Sequence, residues 1–239
     1  MSGSKILMFE NMVLKIEYYS TISDNKYHIY KWLYQKIPIP KVISYEIMNG
    51  KSFLLMSKIK GKMSCDEYYL EHPSELLKNI KKSFELLWSV DISNCPIDRS
   101  LDIRLQEARY RVDNNLIITE NLDPKIFGEN GFKNPKELLQ WLENNKPKSY
   151  EPVLSHGDFC LPNIFFEGDK VSGFVDLGNT GISDKWQDIA LCYRSLRDNF
   201  NGTYGGKVYP DFDPNILFDI LGIDLDQEKL EYYILLDEL

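Results

Sequence analysis

A chain of 239 residues that is 43% hydrophobic and 27% charged can bury a sizeable core, as one large domain or two modest lobes. Its net charge of -8 at pH 7 opposes a nucleic-acid partner, whose phosphates require a basic footprint. No apolar run approaches the roughly 20 residues of a membrane helix and no apolar signal region opens the chain, so a cytoplasmic protein without membrane contact is expected.

The chain starts as strands. Residues 5–17, KILMFENMVLKIE, hold two β-rich runs broken at Glu10-Asn11, which predicts a hairpin. A short helix is expected over Lys26–Gln35, ending before the extended Ile37-Pro38-Ile39-Pro40. KVISYEIM and SFLLMSKI follow as strands around Asn49-Gly50, a strong hairpin signal. After Gly61 the pattern turns helical. Residues 74–90 carry apolar positions at helical spacing with Ser74 as the expected N-cap, and residues 100–117 form a second amphipathic run. Asn134-Pro135 opens KELLQWLENN in cap-then-proline order. Residues 163–178 break the helical pattern with a hairpin turning at Gly168-Asp169. Asp184 is the expected cap of KWQDIALCYRSLRDNF, Asp213-Pro214 opens a helix that Gly222 terminates, and QEKLEYYILLDEL is the last helix. A β-rich part, a short link and a helical part make a bilobal plan, and ligands favour the cleft between such lobes.

Cys65, Cys95, Cys160 and Cys192 form no CxxC pair and the three histidines are dispersed, which argues against a zinc site and for reduced thiols. Between Asp211 and Leu239 nine acids stand against one base, Lys229. By itself such a run reads as a solvated helical face.

Chemistry concentrates in Ser155-His156-Gly157-Asp158-Phe159-Cys160-Leu161-Pro162-Asn163, followed by Asp176-Leu177-Gly178. Phosphoryl transfer needs a carboxylate to orient the acceptor, oxygen ligands for Mg²⁺ and positive charge on the phosphates. Asp158 can take or orient a hydroxyl proton, Asn163 offers an amide oxygen to a metal, and Asp176 offers a carboxylate. Each alone reads equally as a turn or capping residue. The order H-x-D-x4-N then D-x-G mirrors the catalytic and metal loops of protein kinases. His156 is expected to hold its loop by a backbone hydrogen bond.

LSHGDFCLPNIF, KVSGFVDLGNTGISDKWQDIALCYRSLRD and YYILLDEL resemble the aminoglycoside 3′-phosphotransferase family, above all its Gram-positive members, and IPIPKVI, LLMS and SVDISNCP extend the likeness over nearly the whole chain. The resemblance implies an α+β, protein-kinase-like bilobal fold. It has a small β-rich nucleotide lobe over residues 1–56, lacking its first strand, a hinge over 57–61, and a larger, mainly helical catalytic and substrate lobe over 62–239. It implies ATP or GTP as donor with Mg²⁺, a cationic aminoglycoside as acceptor at its 3′ hydroxyl, and a monomer or weak dimer. By the same resemblance Asp158 is catalytic, Asn163 and Asp176 are metal ligands, and Lys15 contacts the phosphates. Ser57 and Ile59 belong to the adenine-reading hinge, and Ser2 and Ser4 are what approaches the phosphates. Asp198, Glu238 and Asp237 bind substrate ammonium groups, which would give the acidic terminus a purpose.

This chain departs from the family pattern at several points. Lys26 stands where a helix acid should pair with Lys15, with Asp24 the nearby alternative. Val13 replaces the aromatic that stacks on adenine, Leu161 replaces an aspartate and Asn179 an arginine, and the aromatic usual after Leu239 is missing. Asp123 and Glu129 are further acids for the substrate. These departures motivate two rival expectations: a kinase of another small hydroxylated amine or sugar, and a pseudoenzyme that binds ligand weakly.

Overall fold

The structure, a computed structural model, describes residues 4–117, 126–128 and 131–239. Four strands open the fold: β1 (Lys5–Met8), β2 (Met12–Tyr18), β3 (Val42–Met48) and β4 (Lys51–Ser57), in one antiparallel sheet of order β1-β2-β4-β3. The expected turn at Glu10-Asn11 closes β1 on β2, with the Phe9 N–H donating to the Met12 carbonyl at 2.8 Å. Asn49 and Gly50 both take left-handed φ, 52° and 70°, as a two-residue hairpin between β3 and β4 demands.

Helix α1 (Thr21–Leu33) lies between β2 and β3. It begins at Thr21, five residues earlier than the apolar spacing suggests, directly after the extended Ser20. Ile29, Tyr30 and Leu33 bury its inner face, and the Pro38 carbonyl then accepts the Phe174 N–H at 3.0 Å, which docks the extended segment onto the second half of the molecule.

That second half holds β5 (Lys62–Met63), α2 (Glu67–Glu71), α3 (Pro73–Trp88), α4 (Leu101–Asp113), α5 (Pro135–Asn144), β6 (Pro152–Ser155), β7 (Ile164–Glu167), β8 (Lys170–Phe174), β9 (Gly181–Asp184), α6 (Lys185–Phe200), α7 (Ile216–Leu221) and α8 (Gln227–Leu236). Ser74 is not a cap: Pro73 takes the first helical position, where its missing N–H costs nothing, and His72 precedes it. The run over 100–117 stops as helix at Asp113, and α7 starts two residues after Pro214. Caps at Asn134, Asp184 and Asp226 accept N–H groups of Glu137, Trp186 and Lys229, and Gly222 ends α7 with φ 66°. All four cysteines are free thiols.

The core of this half runs from α3 to α6 and α8, and Phe84 of α3 stacks on Phe159 with ring centroids 4.2 Å apart. Phe159 therefore anchors the residue beside Asp158 to a rigid helix. A buried ion pair, Lys229 Nζ to Asp184 Oδ2 at 3.2 Å, ties α8 to the start of α6.

Candidate active site

Strands β6 and β9 pair antiparallel, Ser155 opposite Gly181, and deliver the chain into the loop 156–163. His156 is fully buried. Its Nδ1 accepts the Asp158 N–H at 3.3 Å, so Nε2 carries the hydrogen and donates to the Val175 carbonyl at 2.9 Å. One ring thus fixes Asp158 relative to the segment that leads to Asp176.

The loop hangs on a residue that the sequence reading passed over. Asp188, buried on the inner face of α6, accepts the Ser155 hydroxyl at 2.9 Å and the Gly157 N–H at 2.9 Å through Oδ1, and the His156 N–H at 2.7 Å through Oδ2. Burial pushes its carboxyl above the usual range, against the pull of His156 and of these hydrogen bonds. An acid on the apolar face of a helix was the available signal. Gly157 sits at φ +80°, and a Cβ there would stand 2.1 Å from the Asn179 carbonyl oxygen, so the loop closes only around glycine.

Asn163 reaches back to Asp158, its Nδ2 donating to Oδ2 at 2.9 Å and to the backbone carbonyl at 3.0 Å. With both amide hydrogens committed, the Asn163 oxygen is the atom left for a cation. Asp176 is held in the left-handed region, φ 57°, between β8 and a short 3₁₀ turn, and its Oδ1 receives Lys15 Nζ at 2.8 Å. A non-glycine residue in that conformation marks a position the surroundings over-determine. Burial raises the Asp176 carboxyl, but Lys15, and Lys26 behind it, more than offset this and hold it below its ordinary value.

A cavity of about 360 Å³ opens between the sheet and the second half, and Lys15, Ser57, Ile59, Asn163 and Asp176 all line it. Asp158, half-buried, is linked to that cavity through Asn163. One amide oxygen and one carboxylate suit Mg²⁺, which keeps few protein ligands and completes its shell with phosphate and water. Among the described residues no group of three or more His, Cys, Asp or Glu converges as a self-sufficient metal cage.

At the link, the Ser57 N–H donates to the Lys41 carbonyl at 2.9 Å and the Lys58 N–H to the Asn11 carbonyl at 3.0 Å, while the Ile59 N–H has no partner among the described residues. Ile59 also packs on Gly173, where a Cβ would meet its Cδ1 at 2.6 Å. Val13, Met8 and Leu54 give this end of the cavity aliphatic walls. Ser4 precedes β1 and is not among the lining residues, and Ser2 lies outside the described residues. Asp24 does not reach Lys15: its carboxylate takes the hydroxyls of Tyr19 at 2.7 Å and Tyr45 at 2.8 Å. Instead Glu17, two residues along β2, binds Lys26 Nζ at 2.8 and 3.0 Å.

Arginines already engage the expected substrate acids. Asp198 accepts Arg197 Nε at 2.7 Å and Nη2 at 3.1 Å. Arg194 pairs with Glu238 at 3.2 Å and, more closely, with Asp237, which Arg104 also approaches at 3.8 Å. Leu161 is fully buried, so a core residue fills the place where the family pattern has an acid. Asn179 accepts Arg99 Nη2 at 3.4 Å. Asp123 and Glu129 lie outside the described residues.

Comparison with known proteins bears on this geometry. A model of the phosphotransferase enzyme family matches residues 21–209. An aminoglycoside 3′-phosphotransferase of Enterococcus faecalis is 43% identical over 210 residues, covering 87% of this chain and 75% of that protein. One of Staphylococcus aureus is 42% identical over 210 residues with the same shares. Among solved structures, an aminoglycoside-3′-phosphotransferase of type VIII superposes with a TM-score of 0.79 at 22% identity, covering 100% of this chain and 94% of that one. The aminoglycoside phosphotransferase APH(3'')-Id of Streptomyces rimosus, solved with ADP and streptomycin, gives 0.80 at 23% identity, covering 99% and 92%. These superpositions establish the protein-kinase-like fold.

Proposed function

The chain belongs to the aminoglycoside 3′-phosphotransferase family, and on that footing we propose that it transfers the γ-phosphate of ATP or GTP to the 3′ hydroxyl of an aminoglycoside, conferring resistance in the cytoplasm. The observation that carries the reading is two side-chain pairs, Asp158–Asn163 and Lys15–Asp176, linked by the Val175 N–H donating to the Asn163 backbone carbonyl at 3.0 Å, with Lys15, Asn163 and Asp176 lining one cavity. In this reading residues 1–56 form the nucleotide lobe, 57–61 the hinge and 62–239 the catalytic and substrate lobe. The Ile59 N–H and the aliphatic walls beside it receive the base.

Asn163 and Asp176 would hold Mg²⁺, which supplies charge neutralisation on the phosphates when bound. Asp158 orients the acceptor hydroxyl and takes its proton, held in place by Asn163 and His156. Lys15 exchanges Asp176 for phosphate oxygens. Because phosphoryl transfer is largely dissociative, positioning and charge contribute more than proton abstraction. Asp198, Asp237 and Glu238 present carboxylates to a polycation, and its ammonium groups would compete with Arg194 and Arg197 for them.

The test is nucleoside-diphosphate release by the purified chain with Mg²⁺, ATP or GTP, and a panel of kanamycin-, neomycin- and gentamicin-type drugs. Drug-dependent release that Asp158→Ala lacks supports the proposal. Release that Asp158→Ala retains contradicts the assignment of that residue.

A further inference from the structure

Lys26 and Glu17 form a strand-to-helix ion pair in which the helix carries the cation. In protein kinases the strand lysine is aimed by a helix acid. Here β2 holds Lys15 and Glu17 on one face by strand alternation, and α1 contributes Lys26. The geometry places Lys26 in the same cavity as Lys15 and Asp176. Its Nζ binds both Glu17 oxygens, at 3.0 and 2.8 Å, and the side chains are only 12% and 18% exposed. Its stem lies on Gly178, where an added Cβ would stand 2.4 Å from Lys26 Cε, so Lys26 touches the loop that carries Asp176. Tyr30, one turn further along α1, lies buried against the Asp176–Leu177 backbone.

The four charges alternate as Asp176, Lys15, Glu17 and Lys26. A surface pair of lysine and glutamate contributes little and needs no cavity. This one is largely buried, against a glycine that leaves room for it, and once Asp176 turns to a metal the two lysines share a single carboxylate, Glu17, which leaves one positive charge for an anion.

We propose that Lys26 is a second phosphate-binding cation of the nucleotide site, aimed by Glu17 as its positioning residue. The proposal rests on the nucleotide-site reading above and adds to it a ligand for the polyphosphate chain. It also accounts for the absence of a helix acid opposite Lys15: Glu17 supplies that negative charge from the strand, which frees the helix position for a cation.

The experiment is binding of Mg·ATP, ADP and adenosine to the full chain by calorimetry, with the melting temperature of each ligand-free variant recorded alongside. Lys26→Met is expected to weaken Mg·ATP about tenfold, about 1.4 kcal/mol, and to leave adenosine unchanged. Lys26→Arg should retain most of the affinity, Glu17→Gln should lose a few-fold, and Lys31→Met, an exposed lysine on the same helix, should match the parent. Mg·ATP affinity for Lys26→Met within about twofold of the parent would overturn the proposal. So would equal losses for ATP and adenosine with a lowered melting temperature, which would make Lys26 structural. A parent chain that binds no nucleotide would instead overturn the nucleotide-site reading itself.

Discussion

Replacing Asp188 by Asn keeps the shape of the side chain and removes one acceptor. In the native loop one carboxylate oxygen takes the Ser155 hydroxyl and the Gly157 N–H, and the other takes the His156 N–H. An amide must turn its NH₂ toward one of these donor sets, leaving at least one buried donor facing another. A hydrogen bond to a charged group contributes about 1.5–3 kcal/mol and an unsatisfied buried donor costs about 1–3 kcal/mol. Part of this is offset, because a neutral amide is cheaper to bury than a carboxylate. A net loss of about 2 kcal/mol follows, which in a chain of this size lowers the melting temperature by about 4–8 °C. The same change loosens Asp158, two residues from His156, so kcat should fall while nucleotide affinity stays near that of the parent. Thermal denaturation followed by fluorescence, and turnover measured well below both transitions, read the two effects separately. A melting temperature within about 1 °C of the parent together with unchanged kcat would refute the role given to Asp188.

Lys229→Met strands the buried Asp184 carboxylate, and breaking such a pair costs about 3–5 kcal/mol, so chemical denaturation should show a loss of that size with an unchanged m-value. Gly157→Ala puts a Cβ 2.1 Å from the Asn179 carbonyl at φ +80°; it should yield little soluble protein or a protein whose melting temperature is well below the parent's, and a soluble, fully active variant would contradict the described loop. The Lys15–Asp176 pair sets a pH window. Asp176 titrates below its ordinary 3.8, so its contribution is complete above that value and is lost as pH falls through the depressed one. For Lys15 burial lowers the pKa but Asp176 outweighs it, so it titrates above 10.5 and its contribution is lost only as pH rises through that raised value. The stability difference between the parent and Lys15→Met should therefore be flat from about pH 5 to 9 and shrink below about pH 4, and a difference that varies within the flat range would contradict the pairing.

Legibility followed the range of the interactions. The three hairpins are readable because turn residues and strand alternation lie close together in the chain, and Asp158, Asn163 and Asp176 because the loop chemistry imposes short spacings. Strands β5, β6 and β9 are not, since two to four residues carry no period and their partners are distant in the chain: Lys62 pairs with Phe166, and Pro152 with Asp184. The role of Asp188 is not legible because its partners, the Ser155 hydroxyl and the His156 and Gly157 N–H groups, lie more than 30 positions away in the chain. Glu17 was missed for a different reason. The family pattern has its acid opposite Lys15 on the helix, whereas here the acid is on the strand and Lys26 lies across from it. The Arg194 contacts with Asp237 and Glu238 likewise join α6 to the end of the chain, a pairing that charge counting along the sequence does not register.

The most direct test of the account is turnover of two aminoglycosides that differ at one position, a kanamycin-type drug bearing the 3′ hydroxyl and an otherwise similar drug lacking it. Purified chain with Mg²⁺ and ATP or GTP should release nucleoside diphosphate with the first alone, and the product should carry its phosphate at the 3′ oxygen by NMR. Equal release with the 3′-deoxy drug, or none with either while nucleotide binds normally, would contradict it.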